Sequence, residues 1–81
     1  MTVTLYSKPA CVQCDATKRR LDKLGVPYTK VDVTEDPKAL AKILAWGYQQ
    51  VPVVDTGTAH WSGYRIDLIN GLSNIGWKKE A

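Results

Sequence analysis

The chain has 81 residues, with 11 basic and 8 acidic side chains and a formal net charge of +3. A chain of this length is too short for two cores, so we expect one domain over residues 1–81. No apolar run approaches the roughly 18 residues that span a bilayer, and Met1 leads directly into strand-like sequence without an export signal. These features argue against a membrane protein and favour a cytoplasmic one.

The first half of the chain predicts a strand, a helix and a second strand. Residues 3–6 are typical of a short buried strand, which Pro9 cannot continue because it lacks an N–H group. A helix follows over residues 14–24 and is expected to stop at Gly25. Residues 28–33 predict the second strand.

A second helix, a hairpin and a third helix follow. Leu40, Ile43 and Leu44 recur at helical spacing. Residues 51–54 and 59–61 flank a turn-rich segment, as the strands of a β-hairpin do.

The last helix is expected to begin near Tyr64 and to fade around Gly71 or Gly76. The predicted order is therefore β-α-β-α-β-β-α. The first βαβ unit gives parallel strands, and the hairpin adds antiparallel pairing. The sequence predicts an α/β fold with a four-stranded mixed sheet flanked by three helices. Its binding crevice should lie beyond the carboxyl ends of the parallel strands, beside Cys11.

Cys11 and Cys14 are the two cysteines of the chain and lie at the predicted start of the first helix. Residues at i and i+3 of a helix share a face with Cβ atoms about 5–6 Å apart, and a disulfide needs Cα atoms about 4.4–6.8 Å apart. The pair can therefore open and close its bond with little backbone movement. Lasting structural disulfides are rare in the cytoplasm, which favours a catalytic or metal-binding pair.

At a helix N-terminus, unpaired N–H groups and the helix dipole stabilise a thiolate, so we assign Cys11 as the nucleophile. Cys14 lies one turn inside the helix, should be less exposed, and is assigned as the resolving thiol. Lys8 is a candidate for minor electrostatic support. Once Cys11 has formed a mixed disulfide, Cys14 attacks it intramolecularly at a high effective concentration. The pattern predicts a dithiol–disulfide oxidoreductase.

Metal binding is the main rival interpretation. A structural zinc site needs four ligands, and the chain offers two cysteines and one histidine, His60. We therefore expect no metal site within one chain, whereas two chains that share their cysteine pairs could hold zinc or an iron–sulfur cluster. A pair that merely starts a helix is the least favoured interpretation. His60 is expected to be a hydrogen-bonded strand residue without a catalytic role.

Pro52 lies between two valines and is expected at the first position of the third strand, where it presents main chain to a partner. Among the aromatic residues, Trp46 and Tyr48 are expected in the core. Trp61 and Tyr64 are candidates for an exposed apolar docking patch.

The basic residues after the cysteines form no continuous tract. A solvated helix face is the favoured interpretation, and a positive collar that attracts acidic proteins is the alternative. Nucleic-acid binding is disfavoured because no binding motif or stacking platform accompanies the charge. The residues concerned are Lys18, Arg19, Arg20 and Lys23, with Lys78 and Lys79 at the tail.

Three segments make the chain resemble the thioredoxin superfamily, and most of all the glutaredoxin-like NrdH redoxins. The resemblance covers nearly the whole chain. It implies a thioredoxin-like fold, a cis bond before the proline of the second segment, and catalytic roles for the two cysteines. The segments are Cys11-Val12-Gln13-Cys14, Gln49-Gln50-Val51-Pro52-Val53 and Trp61-Ser62-Gly63-Tyr64-Arg65.

The resemblance also implies partners. NrdH redoxins carry electrons from NADPH, through thioredoxin reductase, to the active-site disulfide of the class Ib ribonucleotide reductase large subunit. NADPH and FAD then belong to the partner reductase, and we expect a monomer whose redox group is its own disulfide. The residues expected to support the site or bind a partner are Lys8, Val12, Gln13, Val51, Pro52, Trp61, Ser62, Gly63 and Arg65.

Two departures from the family pattern are visible. Tyr64 and Ile66 stand where relatives commonly carry Phe and Pro, which leaves the start of the last helix less fixed. Glutaredoxins that use glutathione typically have Pro-Tyr between their cysteines and Gly-Gly followed by an acidic pair near the last helix. Here Val12-Gln13 separates the cysteines and only Asp67 remains as an acid, so we expect weak glutathione binding. A glutathione-dependent glutaredoxin is the alternative function.

Overall fold

The computed structural model describes residues 3–72 of the chain. The predicted β-α-β-α-β-β-α order is confirmed. Within these residues, no helix is long and apolar enough to span a membrane. The elements are β1 (Thr4–Ser7), α1 (Val12–Leu24), β2 (Thr29–Asp32), α2 (Pro37–Ala45), β3 (Val53–Asp55), β4 (His60–Ser62) and α3 (Ile66–Leu72).

The strands form one mixed sheet in the order β2-β1-β3-β4. β1 and β2 are parallel, with Leu5 opposite Lys30, because α1 carries the chain back across the sheet. β3 is antiparallel to β1, and β4 is antiparallel to β3 with Val54 opposite Trp61. The predicted four-stranded mixed sheet is confirmed, and the cysteine loop follows β1 at the carboxyl ends of the parallel strands.

Alternation along the strands divides the core into two clusters. Successive strand residues point to opposite faces, so Leu5 and Tyr6 of β1 serve different clusters. α1 and α3 cover one face of the sheet, and α2 covers the other. The first cluster contains Val3, Leu5, Leu21, Val26, Val54, Trp61, Ile69 and Leu72, and the second contains Tyr6, Val33, Ala39, Ile43 and Val53.

α1 ends at Gly25, as the sequence predicts. Gly25 has a φ of 74°, in the left-handed region that favours glycine. Its N–H donates to the Asp22 carbonyl at 3.1 Å, and the N–H of Val26 donates to the Leu21 carbonyl at 3.0 Å. These bonds satisfy carbonyl groups of the last turn that have no partner inside the helix.

β3 begins at Val53, two residues after the start of the predicted 51–54 strand and one after Pro52, which has no N–H group to donate to the sheet. The Pro52 carbonyl nevertheless accepts a hydrogen bond from Gly63 N–H at 2.8 Å. Pro52 therefore lies at the entrance of the strand and still helps to align it with β4.

α3 begins at Ile66, so the predicted start near Tyr64 is wrong. Gly63 turns the chain with a φ of 89°, and the Arg65 carbonyl accepts a helical hydrogen bond from Ile69 N–H. The chain is therefore still in the turn at Tyr64. The proposed end at Gly76, like the basic tail residues Lys78 and Lys79, lies outside the described residues.

Trp46 and Tyr48 are only partly buried, so their core assignment is only half correct. Both pack against the second cluster, and both also contact His60. The Trp46 indole stacks on the His60 imidazole, with centroids 4.0 Å apart and planes 4° apart. The Tyr48 hydroxyl lies 2.7 Å from His60 Nδ1 and donates to the His60 carbonyl at 3.1 Å. His60 is a hydrogen-bonded strand residue, as predicted.

The Gly25 turn gives a stability prediction. Gly25→Ala places a Cβ atom in the left-handed region and is expected to lower the free energy of unfolding by about 1 kcal/mol. Gly71→Ala is the matched control, because Gly71 lies within α3 and an added Cβ would meet no atom of residues 3–72 within 4 Å, apart from the helix's own backbone and its chain neighbours. Alanine should stabilise that helix by roughly 0.5–1 kcal/mol. Urea unfolding of both variants should give shifts of opposite sign, and shifts of the same sign would contradict the explanation.

Candidate active site

The loop between β1 and α1 positions the cysteines. Ser7 ends β1 in the core, whereas Lys8 is exposed. Ala10 then adopts a left-handed backbone with a φ of 56°, at a cost of about 1–2 kcal/mol for a residue with a side chain. This turn brings Cys11 to the N-cap of α1, with an extended backbone. Strand, turn and helix cap therefore fix the position of Cys11.

Cys11 and Cys14 form a disulfide with their Cα atoms 5.2 Å apart. The Cys14 N–H donates to Cys11 Sγ at 3.1 Å, so an N–H group at the start of α1 points at that sulfur. Cys11 is 8% exposed and Cys14 is 3% exposed. The hydrogen bond and the helix dipole both favour negative charge on Cys11 Sγ once the disulfide is reduced.

Two further loops meet the cysteine loop. The Val51–Pro52 peptide bond is cis, as the family resemblance implies. The hydrogen bond from Gly63 to the Pro52 carbonyl joins the proline loop to the Ser62-Gly63 turn. Gln13 Oε1 accepts the Tyr64 N–H at 3.4 Å, which joins that turn to the residues between the cysteines. Three separate parts of the sequence thus surround one disulfide.

A groove of about 540 Å³ opens beside the disulfide, between the cysteine loop and α2. Its lining is mainly apolar and amide, and Lys8 is its only charged residue among those the structure describes. Leu44 is 51% exposed in it. The groove therefore suits a neutral or anionic segment with an apolar side chain. Of the site residues predicted from the sequence, those that line the groove are Lys8, Cys11, Val12, Gln13 and Val51.

The remaining predicted residues have different positions. Pro52, which follows the groove residue Val51, is buried, and Ser62 and Gly63 are partly buried. Arg65 is exposed and pairs with Asp67 at 3.2 Å.

Trp61 is not exposed, so its assignment to a docking patch is wrong. It is 8% exposed and belongs to the first core cluster. The register of the hairpin places it opposite Val54, on the face that α1 and α3 cover. Tyr64 is partly exposed, so only this half of the predicted patch reaches the surface.

The α2 side of the groove was not predicted from the sequence. Ala39 and Ile43 supply the buried residues of α2, whereas Leu40 and Leu44 remain exposed and line the groove. The apolar residues of α2 did contain this signal. When the apolar stripe of a helix is wider than its contact with the core, some apolar residues stay exposed and can form another surface. Tyr48, Gln49 and Gln50 complete that side.

Two carboxylates close to these loops have lowered pKa values. The Arg65 side chain donates hydrogen bonds to Asp67 and holds the pKa of that carboxyl below its usual range. At the end of β2, the Thr34 hydroxyl and N–H do the same for the pKa of Asp32. Both carboxylates are therefore charged at neutral pH, and Asp67 is already matched by a cation.

No cluster of three or more potential metal ligands is found among residues 3–72. The reactive group that these residues do present is the disulfide.

Comparison with known proteins agrees with this geometry. A glutaredoxin family model matches residues 3–61. The chain belongs to the glutaredoxin family. It is 42% identical over 72 residues to the glutaredoxin-like protein NrdH of Escherichia coli K12, covering 89% of each protein. NrdH of Salmonella typhimurium is 43% identical over 72 residues, with the same coverage.

A solved structure supports the same assignment. The NrdH-redoxin of Escherichia coli, a glutaredoxin-like protein with a thioredoxin-like activity profile, matches with a TM-score of 0.86 and 42% identity. The match covers 89% of this chain and 95% of that one. The thioredoxin-like fold is confirmed, and the chain is an NrdH-type member of the glutaredoxin-like thiol–disulfide oxidoreductases.

The burial of Trp61 and the exposure of Leu44 give a paired prediction. Trp61→Ala should lower the free energy of unfolding by about 3–5 kcal/mol, because it empties a core position. Leu44→Ala should change it by no more than about 0.5 kcal/mol, because half of that side chain is already in solvent. Denaturant unfolding measures both values. A mild effect at Trp61 would show that its ring serves a surface and not the core.

Proposed function

We propose that this protein carries electrons from NADPH-dependent thioredoxin reductase to the active-site disulfide of the class Ib ribonucleotide reductase large subunit. The observation that carries the proposal is the Cys11–Cys14 disulfide, closed at the N-cap of α1 with a helix N–H directed at Cys11 Sγ. Similarity to the two NrdH proteins over 89% of the chain supports this choice of client.

The reaction is a pair of thiol–disulfide exchanges. The Cys11 thiolate attacks one sulfur of the client disulfide, forms a mixed disulfide and releases the other client sulfur as a thiolate. Cys14, after losing its proton, attacks Cys11 Sγ, so the Cys11–Cys14 bond forms and the second client thiolate leaves. The client gains two electrons and, with two protons, becomes a dithiol, while the carrier becomes a disulfide.

The hydrogen bond from Cys14 N–H supports the direction of attack. It stabilises negative charge on Cys11 Sγ, which raises the share of Cys11 present as thiolate and so favours Cys11 as the entering nucleophile. Cys14 is the more buried cysteine of the pair, so its reaction partner is the mixed disulfide on Cys11 and not a free client. Proximity therefore supplies the second step.

Val51 offers a way to hold the client. Within the described part of the chain, its N–H and C=O make no hydrogen bond, and it lines the groove beside Cys11. A client segment in an extended conformation can pair with this main chain and present its disulfide to the cysteine. Lys8, Val12 and Gln13 line the same groove.

The electron donor distinguishes this proposal from a glutathione-dependent glutaredoxin. The acid available for the ammonium group of glutathione, Asp67, is already paired with Arg65. This competition supports a protein reductase as the donor. NADPH and FAD stay on that reductase, the carrier is a monomer, and the reaction takes place in the cytoplasm, where thiols are kept reduced.

A coupled assay tests the donor. The protein is mixed with insulin as a disulfide substrate and either thioredoxin reductase with NADPH, or glutathione, glutathione reductase and NADPH. Oxidation of NADPH is expected to be much faster in the thioredoxin reductase arm, and Cys11→Ser gives the background. Turnover in the glutathione arm alone would overturn the proposed donor.

A trapping experiment tests the roles of the two cysteines. Cys14→Ser should accumulate a mixed disulfide between Cys11 and the ribonucleotide reductase large subunit, because the resolving attack is lost. Non-reducing electrophoresis and peptide mass spectrometry identify the linkage. Cys11→Ser is the matched control and should trap little client. Trapping through Cys14 in that control would reverse the assignment.

A further inference from the structure

A second, smaller groove of about 270 Å³ lies along α1, on the side of the Ser62-Gly63 turn. Three of its lining side chains are cationic, one is aromatic and none is acidic. The α1 residues follow the spacing i, i+3, i+4 and i+7, which places them on one face of the helix. The lining consists of Ala16, Arg19, Arg20, Lys23 and Tyr64.

The structure divides the basic residues of α1 into two groups. Lys18 pairs with Asp22 at 3.0 Å, and this hydrogen bond raises the pKa of Lys18. Arg19, Arg20 and Lys23 form no salt bridge within residues 3–72. The groove therefore concentrates positive charge that no acidic residue in the described part of the protein neutralises. A uniformly solvated helix face would not concentrate its charge in this way.

Arg20 is held in a defined orientation. Its Nε donates to Asn70 Oδ1 on α3 at 2.9 Å. Its terminal nitrogens make no hydrogen bond to the part of the protein that the structure describes, so they remain available to an acceptor. An arginine fixed through Nε presents a flat pair of donors that matches a carboxylate.

Tyr64 links the cationic groove to the redox site. It lines the groove, and its N–H donates a hydrogen bond to Gln13 Oε1, between the two cysteines. With a rise of about 1.5 Å per helical residue, Arg19 lies roughly 12 Å and Lys23 roughly 18 Å along α1 from Cys11. An extended peptide covers these distances in about four to six residues.

We propose that this groove binds an acidic segment of the protein client, with Asp or Glu residues about four to six positions from the cysteine that Cys11 attacks. The inference rests on the proposed electron-carrier function and adds a recognition element to it. Carboxylates of the segment pair with Arg19, Arg20 and Lys23, and the Tyr64 ring forms the rim. Because these cations face solvent, the interaction accelerates encounter and weakens with salt.

Synthetic peptides test the proposal without a reductase. Each peptide carries one cysteine as a mixed disulfide with thionitrobenzoate, then a Gly-Ser spacer, then three Asp, three Ser or three Lys residues at positions four to six. The chemically reduced protein attacks the peptide sulfur, since thionitrobenzoate is the better leaving group, and the released anion is followed by absorbance.

The second-order rate constants should fall in the order Asp, Ser, Lys. The Asp and Lys peptides should differ by roughly threefold to thirtyfold at low salt, as expected for a few exposed ion pairs. The difference should nearly vanish at about 1 M salt, where the screening length is about 3 Å.

A charge-matched pair of double variants locates the effect. Arg19→Glu/Lys23→Glu should abolish or reverse the preference for the Asp peptide while leaving the Ser peptide rate nearly unchanged. Lys30→Glu/Lys38→Glu changes the net charge by the same amount at exposed sites on β2 and α2 that do not line the groove, and should keep the preference.

The possible failures are distinguishable. Equal rates for the three peptides, or equal loss of preference in both double variants, would overturn the acidic-segment site and leave the electron-carrier function intact. If the reduced protein released thionitrobenzoate from none of the peptides and did not reduce insulin, the electron-carrier function itself would be overturned.

Discussion

The hydrogen bond from Cys14 N–H to Cys11 Sγ is the interaction on which the active site depends. It requires that α1 begin immediately after Cys11, which the left-handed turn at Ala10 ensures. The turn at Ala10 depends on β1 ending at the buried Ser7, because the cysteine loop then begins at the carboxyl ends of the parallel strands. The fold therefore places a sulfur atom at the one end of a helix where negative charge is stabilised.

Local chemistry explains which features the sequence could predict. The cysteine spacing, the stop at Gly25 and the order of elements depend on neighbours a few residues away, and the structure confirms all three. Trp61 depends instead on the register between two strands, since a shift of one residue would turn its indole to the opposite face. Its neighbours Ser62 and Gly63 suggest a surface, but the pairing with Val54 decides its burial.

The grooves depend on long-range packing and could not be predicted as cavities. Leu44 belongs to a helical apolar repeat, and the sequence alone allows every residue of that repeat to be buried. In the structure Ala39 and Ile43 are the buried residues of α2, and Leu44 stays exposed. Likewise, the sequence shows four basic residues on α1, but only packing against α3 separates Arg20 from Lys18. Sequence periodicity identifies the face of a helix, and tertiary contacts decide what that face meets.

The contact between Tyr48 and His60 has a consequence for behaviour at high concentration. The hydrogen-bonded pairs of the hairpin, such as Thr56 with Ala59, leave the His60 carbonyl pointing away from β3, towards the open side of the outermost strand. The Tyr48 hydroxyl donates a hydrogen bond to that carbonyl, and the Trp46 indole stacks on the His60 imidazole. The Tyr48 hydroxyl thus removes one free hydrogen-bond acceptor from the outer side of β4, where a strand added from a second molecule would pair.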